Sequence, residues 1–230
     1  MIGRAWTQRQ PRTGPKAVTL VLVPYNNLER AMTRLQRDLV PSLEHYRTWD
    51  FELLVIDNSE QRLEPLAAAV DALPWPSQYV WHDGANRMYG PSLNIAARLA
   101  QHPFLIYACT NHGRMHDPRW IQDLILPLWA SERVAMTGHP YPSPPASALG
   151  FRYSGRCFHI QGGVFAARTA TLRSYPYDEG EHAHWGSDIW QSYQLLQEGF
   201  ELAAVPSVMS VWRKRARRGR WRYVHDESEG

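Results

Sequence analysis

Ala17-Val18-Thr19-Leu20-Val21-Leu22-Val23-Pro24-Tyr25-Asn26-Asn27 is the stretch on which the architecture turns. Its first seven residues are apolar or β-branched with no polar alternation, as in a strand buried on both faces. Pro24 ends the run. Polar residues follow, and then Leu28, Ala31, Met32, Leu35, Leu39 and Leu43 recur at helical spacing. A doubly buried strand feeding a helix is the first unit of a parallel sheet.

The same pattern repeats downstream. Phe51 to Ile56 reads as a second buried strand, and 61 to 73 as a second helix with Leu63, Leu66, Ala67, Val70 and Leu73 on one face. Gln78 to Trp81 is a short third strand, followed by a helix over 91 to 101 opened by Pro91, which suits a first turn. Phe104 to Thr110 is a fourth strand, and 118 to 130 a fourth helix, opened by Pro118. Four such units predict an α/β fold: a doubly wound, mainly parallel Rossmann-like sheet with helices on both faces. Beyond them, Val134 to Thr137 is extended, Pro140 to Pro145 reads as an irregular loop, and 156 to 167 as a strand pair or bulged strand. Residues 188 to 198 form a helix ended by Gly199, and Phe200 to Val211 an extended segment interrupted by Pro206.

The composition fits one globular domain. At 230 residues, 44% hydrophobic and 20% charged, collagen, coiled coil, disorder and disulfide scaffolds are excluded. Cys109 and Cys157 lack metal-like spacing and are read as reduced. The first sixteen residues are polar, without a signal-peptide core, so a cytoplasmic protein is expected. The formal net charge of +3 is unevenly spread, because Arg213, Lys214, Arg215, Arg217, Arg218, Arg220 and Arg222 cluster near the end. Without them and the acidic Asp226, Glu227 and Glu229, the body is close to neutral. Such a run suits an anionic ligand or the inner face of a membrane, and otherwise is a solvated tail. Nucleic acid is not an expected partner, since the aromatics interleaved with the run are confined to Trp212, Trp221 and Tyr223.

In open α/β sheets ligands bind outside the carboxyl ends of the strands. Those ends are Pro24 to Asn27, Asp57 to Ser59, His82 to Tyr89 and Thr110 to Met115. A carboxylate and an aromatic ring at adjacent ends can grip a base and ribose; alternatively, Asp57-Asn58-Ser59 only forms a turn or caps the next helix. A nicotinamide dinucleotide is disfavoured, because no G-x-G-x-x-G follows the first strand.

Taken in order, Val21-Leu22-Val23-Pro24-Tyr25-Asn26, Glu52 to Ser59, Asn86, Gly90, Asn94 with Ala97, Pro118-Arg119-Trp120-Ile121, Gly162-Gly163-Val164-Phe165 and Ser187-Asp188 resemble family 2 glycosyltransferases of the GT-A fold. The resemblance covers roughly residues 17 to 213. It implies a polar leader over 1–16, one domain over 17–213 with a nucleotide-binding half (17–115) and an acceptor half (116–213), and a flexible basic tail over 214–230. It further implies inverting transfer of a hexosyl or N-acetylhexosaminyl group from a uridine diphosphate (UDP) sugar to a hydroxyl of a small-molecule, glycan or lipid-linked acceptor. Pro24, Tyr25 and Asn26 are the implied first nucleotide loop, Asp57 the carboxylate that reads uracil, and Asn86, Gly90 and Asn94 the segment under the donor. Asp188 is the implied general base, with Gly162, Gly163, Trp185 and Trp190 on the acceptor side.

The chain also departs from the family pattern. Where members carry D-x-D after the fourth strand to hold a divalent ion, this chain has Cys109-Thr110-Asn111-His112-Gly113. Thr110, Asn111 and His112 take the donor-contacting place, His112 is the candidate metal ligand among them, and manganese or magnesium is expected to bind weakly at most. Arg213 is then expected to close over the diphosphate in place of metal charge. The family's arginine before the helix asparagine is Leu93, and its glutamate before the base is Ser187. Glu181, His182 and His184 lie close by as a polar loop, alternative bases or metal ligands. The alternative overall reading is a degenerate GT-A domain that binds a nucleotide or partner without turnover.

Overall fold

The computed structural model describes residues 16–110, 115, 117, 119–155, 158–184 and 186–205, together with the backbone of 213–217 and 220–224. Seven strands form the main sheet: β1 (Ala17–Leu22), β2 (Asp50–Asp57), β3 (Ser77–Trp81), β4 (Phe104–Ala108), β5 (Val134–Pro142), β6 (Phe158–Arg168) and β7 (Glu201–Ala204). Their order is β3-β2-β1-β4-β6-β5-β7. Pairings are parallel except at β6, which runs antiparallel to both β4 and β5. The mixed α/β sheet expected from the repeated strand-helix units is therefore present.

The unbroken apolar runs are explained by two helical layers. Val18, Leu20 and Leu22 of β1 face one cluster with Leu35, Leu39, Trp120 and Leu124, while Val21 faces another with Leu93, Ala96 and Leu195. The first layer holds α1 (Leu28–Thr33), α2 (Val40–His45), α3 (Glu64–Asp71) and α5 (Trp120–Ala130). The second holds α4 (Tyr89–Leu99), α6 (Thr169–Ser174) and α7 (Ser187–Gln197).

Four details differ from the sequence reading. The first helix is not continuous: Arg34–Leu39 is a π-helical segment between α1 and α2, with the Val40 N–H bonded to the Leu35 carbonyl. Pro41, in the first turn of α2, cannot donate the next α-helical bond, and the wider turn accommodates its ring. The supposed loop from Pro140 begins inside β5, which runs to Pro142. Beyond Gly138 its described pairing is to β6 alone, so the prolines forfeit no ladder bond to β7. Helix α6 carries too few apolar residues to have shown a period. Finally, residues read as the start of a flexible tail form an antiparallel ribbon, β8 (Arg213–Arg217) with β9 (Arg220–Val224). None of the described helices is long and apolar enough to cross a membrane.

Candidate functional site

The carboxyl ends of β1 and β2 are locked together before any ligand arrives. Asn58 N–H donates to the Pro24 carbonyl at 3.0 Å. Asn26, left-handed at φ 48°, donates its N–H to Ser59 Oγ at 2.8 Å and accepts from Glu60 N–H at 2.9 Å. Tyr25, between these contacts, is 48% exposed, and its hydroxyl donates to Glu60 Oε1 at 3.5 Å. Asparagine tolerates a left-handed backbone through its short polar side chain, which explains its place here.

Asp57 is placed differently from the expectation. It is fully buried, Oδ1 accepts from Ser59 N–H at 2.9 Å, and Oδ2 accepts from Leu63 N–H at 3.2 Å and from the Tyr79 hydroxyl. This is the turn-and-cap alternative, fixing the loop from β2 into α3. A uracil imide would have to displace the Tyr79 hydroxyl or share Oδ1. Burial and the Asp57 hydrogen bond push the Tyr79 phenol well above its ordinary range.

The segment from β3 into α4 is tied to both neighbours. Asn58 Nδ2 donates to the Met88 carbonyl at 3.2 Å and to Ser92 Oγ at 2.7 Å, and Asn86 Oδ1 accepts from Met88 N–H at 2.9 Å. Met88 has φ 66° and ψ 176°, a region nearly confined to glycine. Gly90 and Asn94, expected beneath the donor, bind the loop before α7 instead. A Cβ on Gly90 would meet the Asp178 carbonyl at 3.0 Å and Tyr177 Cβ at 3.1 Å. Buried Asn94 donates to the Tyr177 carbonyl and Glu179 Oε1, both at 2.9 Å, and accepts from Tyr177 N–H at 2.8 Å.

At the end of β4, Cys109 donates its N–H to the Gly163 carbonyl at 2.8 Å, and its carbonyl accepts from Arg34 Nε at 2.9 Å. Arg34 itself is buried in the π-helical segment and paired with Asp38 at 2.5 Å. Thr110 is half-buried; Asn111, His112 and Trp185 lie outside the described residues, as does the side chain of Arg213. The described residues do not fit a divalent ion. Among them no cluster of three or more His, Cys, Asp or Glu groups could hold one. Asp117, the first carboxylate after β4, is held by Arg119 at 2.7 Å, and that guanidinium keeps its carboxyl below the usual range.

Asp188 lies where α7 meets β6. Gly186, left-handed at φ 76°, turns the chain into α7, so Asp188 sits in a first turn where the helix dipole favours an anion. Oδ2 accepts from Gly162 N–H at 2.9 Å and Oδ1 from Ile189 N–H at 2.9 Å, and the side chain remains 24% exposed. A Cβ on Gly162 would meet the Tyr89 hydroxyl at 2.7 Å and Asp188 Cβ at 3.3 Å, so glycine permits the convergence of β6, α4 and α7. Tyr89 is flanked by Tyr107 and Tyr177, ring centroids 5.5 and 5.8 Å away, and burial pushes all three phenols up. Trp190 stacks on His182 at 4.2 Å and packs edge-on against Phe151 at 4.6 Å.

One group was missed in the sequence. His159 of β6 is buried, with Nε2 3.6 Å from Asp188 Oδ2 and Nδ1 2.8 Å from Ser143 Oγ. An isolated histidine in an apolar strand carries no motif, and only the position of Gly162 three residues later could have hinted at it.

No family model matches the chain, and no curated protein matches it in sequence. Solved structures do. A mannosyltransferase from Pyrobaculum calidifontis, solved with GDP-mannose and Mn2+, aligns with TM-score 0.64 and 15% identity over 86% of this chain and 56% of that one. GalNAc-T7, solved with UDP, GalNAc and Mn2+, aligns with TM-score 0.62 and 17% identity over 84% of this chain and 43% of that one. The fold is the GT-A fold. Glucosyl-3-phosphoglycerate synthase from Mycobacterium tuberculosis, solved with UDP, gives TM-score 0.61 and 16% identity over 91% of this GT-A chain and 80% of the synthase. The chain thus spans about half the length of the first two structures.

Proposed function

We propose that this GT-A domain is an inverting glycosyltransferase that moves a sugar from UDP to an acceptor hydroxyl, as a family 2 enzyme does. The observation that carries this reading is the placement of Asp188, a partly exposed carboxylate anchored by the Gly162 N–H where β6, α4 and α7 converge. In the proposed reaction Asp188 takes the proton of the acceptor hydroxyl as its oxygen bonds the anomeric carbon. The bond from that carbon to the diphosphate breaks on the opposite face, and UDP leaves with the electron pair. Tyr25 offers the base a stacking face, and Asp57 acts through the turn that carries Ser59 and Glu60. Thr110, Asn111, His112 and Arg213 are proposed to hold the diphosphate, with cationic and polar groups in place of a tightly bound ion. The solved structures with UDP and GDP-mannose support a nucleotide-sugar donor.

The test is calorimetry with nucleoside diphosphates. UDP is expected to raise the melting temperature more than ADP, GDP or CDP, with a chelator leaving most of the effect. No preference for uridine would overturn the donor assignment, and complete dependence on manganese would overturn the metal-free one. With a turnover assay, Asp188→Asn is expected to lose a factor on the order of a hundred at near-constant donor affinity. A second reading, a nucleotide-binding module without catalysis, is favoured by the capture of Asp117 by Arg119. It predicts UDP binding without sugar transfer.

A further inference from the structure

The carboxylate of Asp188 has more order around it than Gly162 alone supplies. His159 reaches it from β6, and Ser143, just past the end of β5, reaches His159 from the other side. Asp188 Oδ2 therefore faces the Gly162 N–H at 2.9 Å and the imidazole Nε2 at 3.6 Å, while Oδ1 has the Ile189 N–H at 2.9 Å. A carboxylate oxygen offers about two lone-pair positions. Oδ2 has one taken by the Gly162 N–H and the imidazole 3.6 Å away on its other side, and Oδ1 keeps one.

We propose that Ser143 and His159 form a positioning relay for Asp188, in which the Ser143 hydroxyl donates to Nδ1, Nε2–H faces Oδ2, and Oδ1 is left as the atom that takes the acceptor proton. The inference rests on the reading of Asp188 as general base. The tautomer follows from elimination. A neutral imidazole carries one proton, and if it sat on Nδ1 the Nε2 lone pair would point at a carboxylate, acceptor against acceptor. With the proton on Nε2 both ends are satisfied, since the serine hydroxyl can rotate to donate. At 3.6 Å the Nε2 contact is electrostatic, longer than a hydrogen bond. Burial lowers the imidazole's proton affinity, with Asp188 opposing, so the ring is neutral at pH 7. The groups facing it are few: Asp188 from α7, the Ser143 hydroxyl, and the Tyr141 ring of β5 at 5.7 Å. Asp188 is the charged one among these.

This makes His159 a positioning residue, not a second base. Its ring already carries a proton on the nitrogen nearest Asp188 and has no lone pair there to receive another.

Long-range proton–nitrogen NMR of the histidine rings, on the whole chain without ligand, tests the relay. At pH 7 the His159 ring is expected to be neutral with its proton on Nε2. Ser143→Ala, which removes one atom, is expected to leave that tautomer in place, since the carboxylate alone disfavours a lone pair at Nε2. Asp188→Asn, which keeps shape, should move the His159 titration to lower pH because the charge that favours the imidazolium is gone. A proton on Nδ1 in the unmodified chain, or a His159 titration unmoved by Asp188→Asn, would overturn the relay. A histidine electrostatically uncoupled from Asp188 would keep its titration in Asp188→Asn. These readouts need no substrate, so their failure is separate from failure of the functional reading, which the UDP titration and Asp188→Asn turnover decide.

Discussion

Asp57 shows how a single side chain can have two masters. Its carboxylate accepts from Ser59 N–H, Leu63 N–H and the Tyr79 hydroxyl with no exposure to solvent. Asp57→Ala would leave these donors unpaired, and unsatisfied buried groups cost about 1–3 kcal/mol each, partly relieved by water entering the gap. The expected loss is about 2–4 kcal/mol, read as a lower urea midpoint at unchanged slope. A near-neutral variant would mean that the carboxylate is not needed for the turn. The companion change Tyr79→Phe removes only the competing hydroxyl. If uracil takes that hydroxyl's place on Oδ2, UDP affinity is expected to hold or rise in Tyr79→Phe, and a tenfold or greater loss would exclude the exchange.

At the scale of elements, β6 carries the site, because it alone runs against the rest of the sheet and faces α7 along its length. Gly162→Ala on this strand places a methyl group against the Tyr89 hydroxyl and Asp188. Overpacking of this kind costs about 1–3 kcal/mol. Tyr89→Phe removes the nearest atom, so a double-mutant cycle is expected to recover part of the loss in chemical denaturation. Strict additivity would mean that the two groups do not meet. The first four strands and their helices were readable because each had to be apolar on two faces, and that leaves a continuous run in the sequence. The π-helical turn was not, since it depends on Pro41 meeting a helix that continues past it. Nor was the passage of β5 through Pro140, where its described pairing beyond Gly138 is to β6 alone. Of the residues singled out by resemblance, Gly162 and Asp188 meet through a hydrogen bond, and Gly90 and Asn94 bind the loop before α7; His159 had no signal of its own.

For the whole molecule, the buried His159 ties stability to pH. Its imidazole is held below the ordinary value by burial, against the pull of Asp188, so the unfolded chain binds this proton more readily than the folded one. Stability from this group is therefore complete above about pH 6.5, the unfolded value, and is lost as pH falls below it toward the folded value. The urea midpoint is expected to fall from pH 7 to 5, and His159→Phe should flatten that slope while Asp188→Asn steepens it. An unchanged slope in His159→Phe would assign the effect elsewhere. The backbone register of the β8–β9 ribbon sets Arg215 opposite Arg222 and Arg217 opposite Arg220.

The left-handed residues Asn26, Asp83 and Met88 all lie at the carboxyl edge of the sheet. A strained conformation of the Met88 kind costs roughly 1–3 kcal/mol, and the tie from Asn58 to its carbonyl keeps it in place. Selection for heat tolerance would act first at such a position, where glycine is the easy replacement. The same replacement would loosen the entrance to α4 that the Asn58 side chain now fixes through Met88 and Ser92.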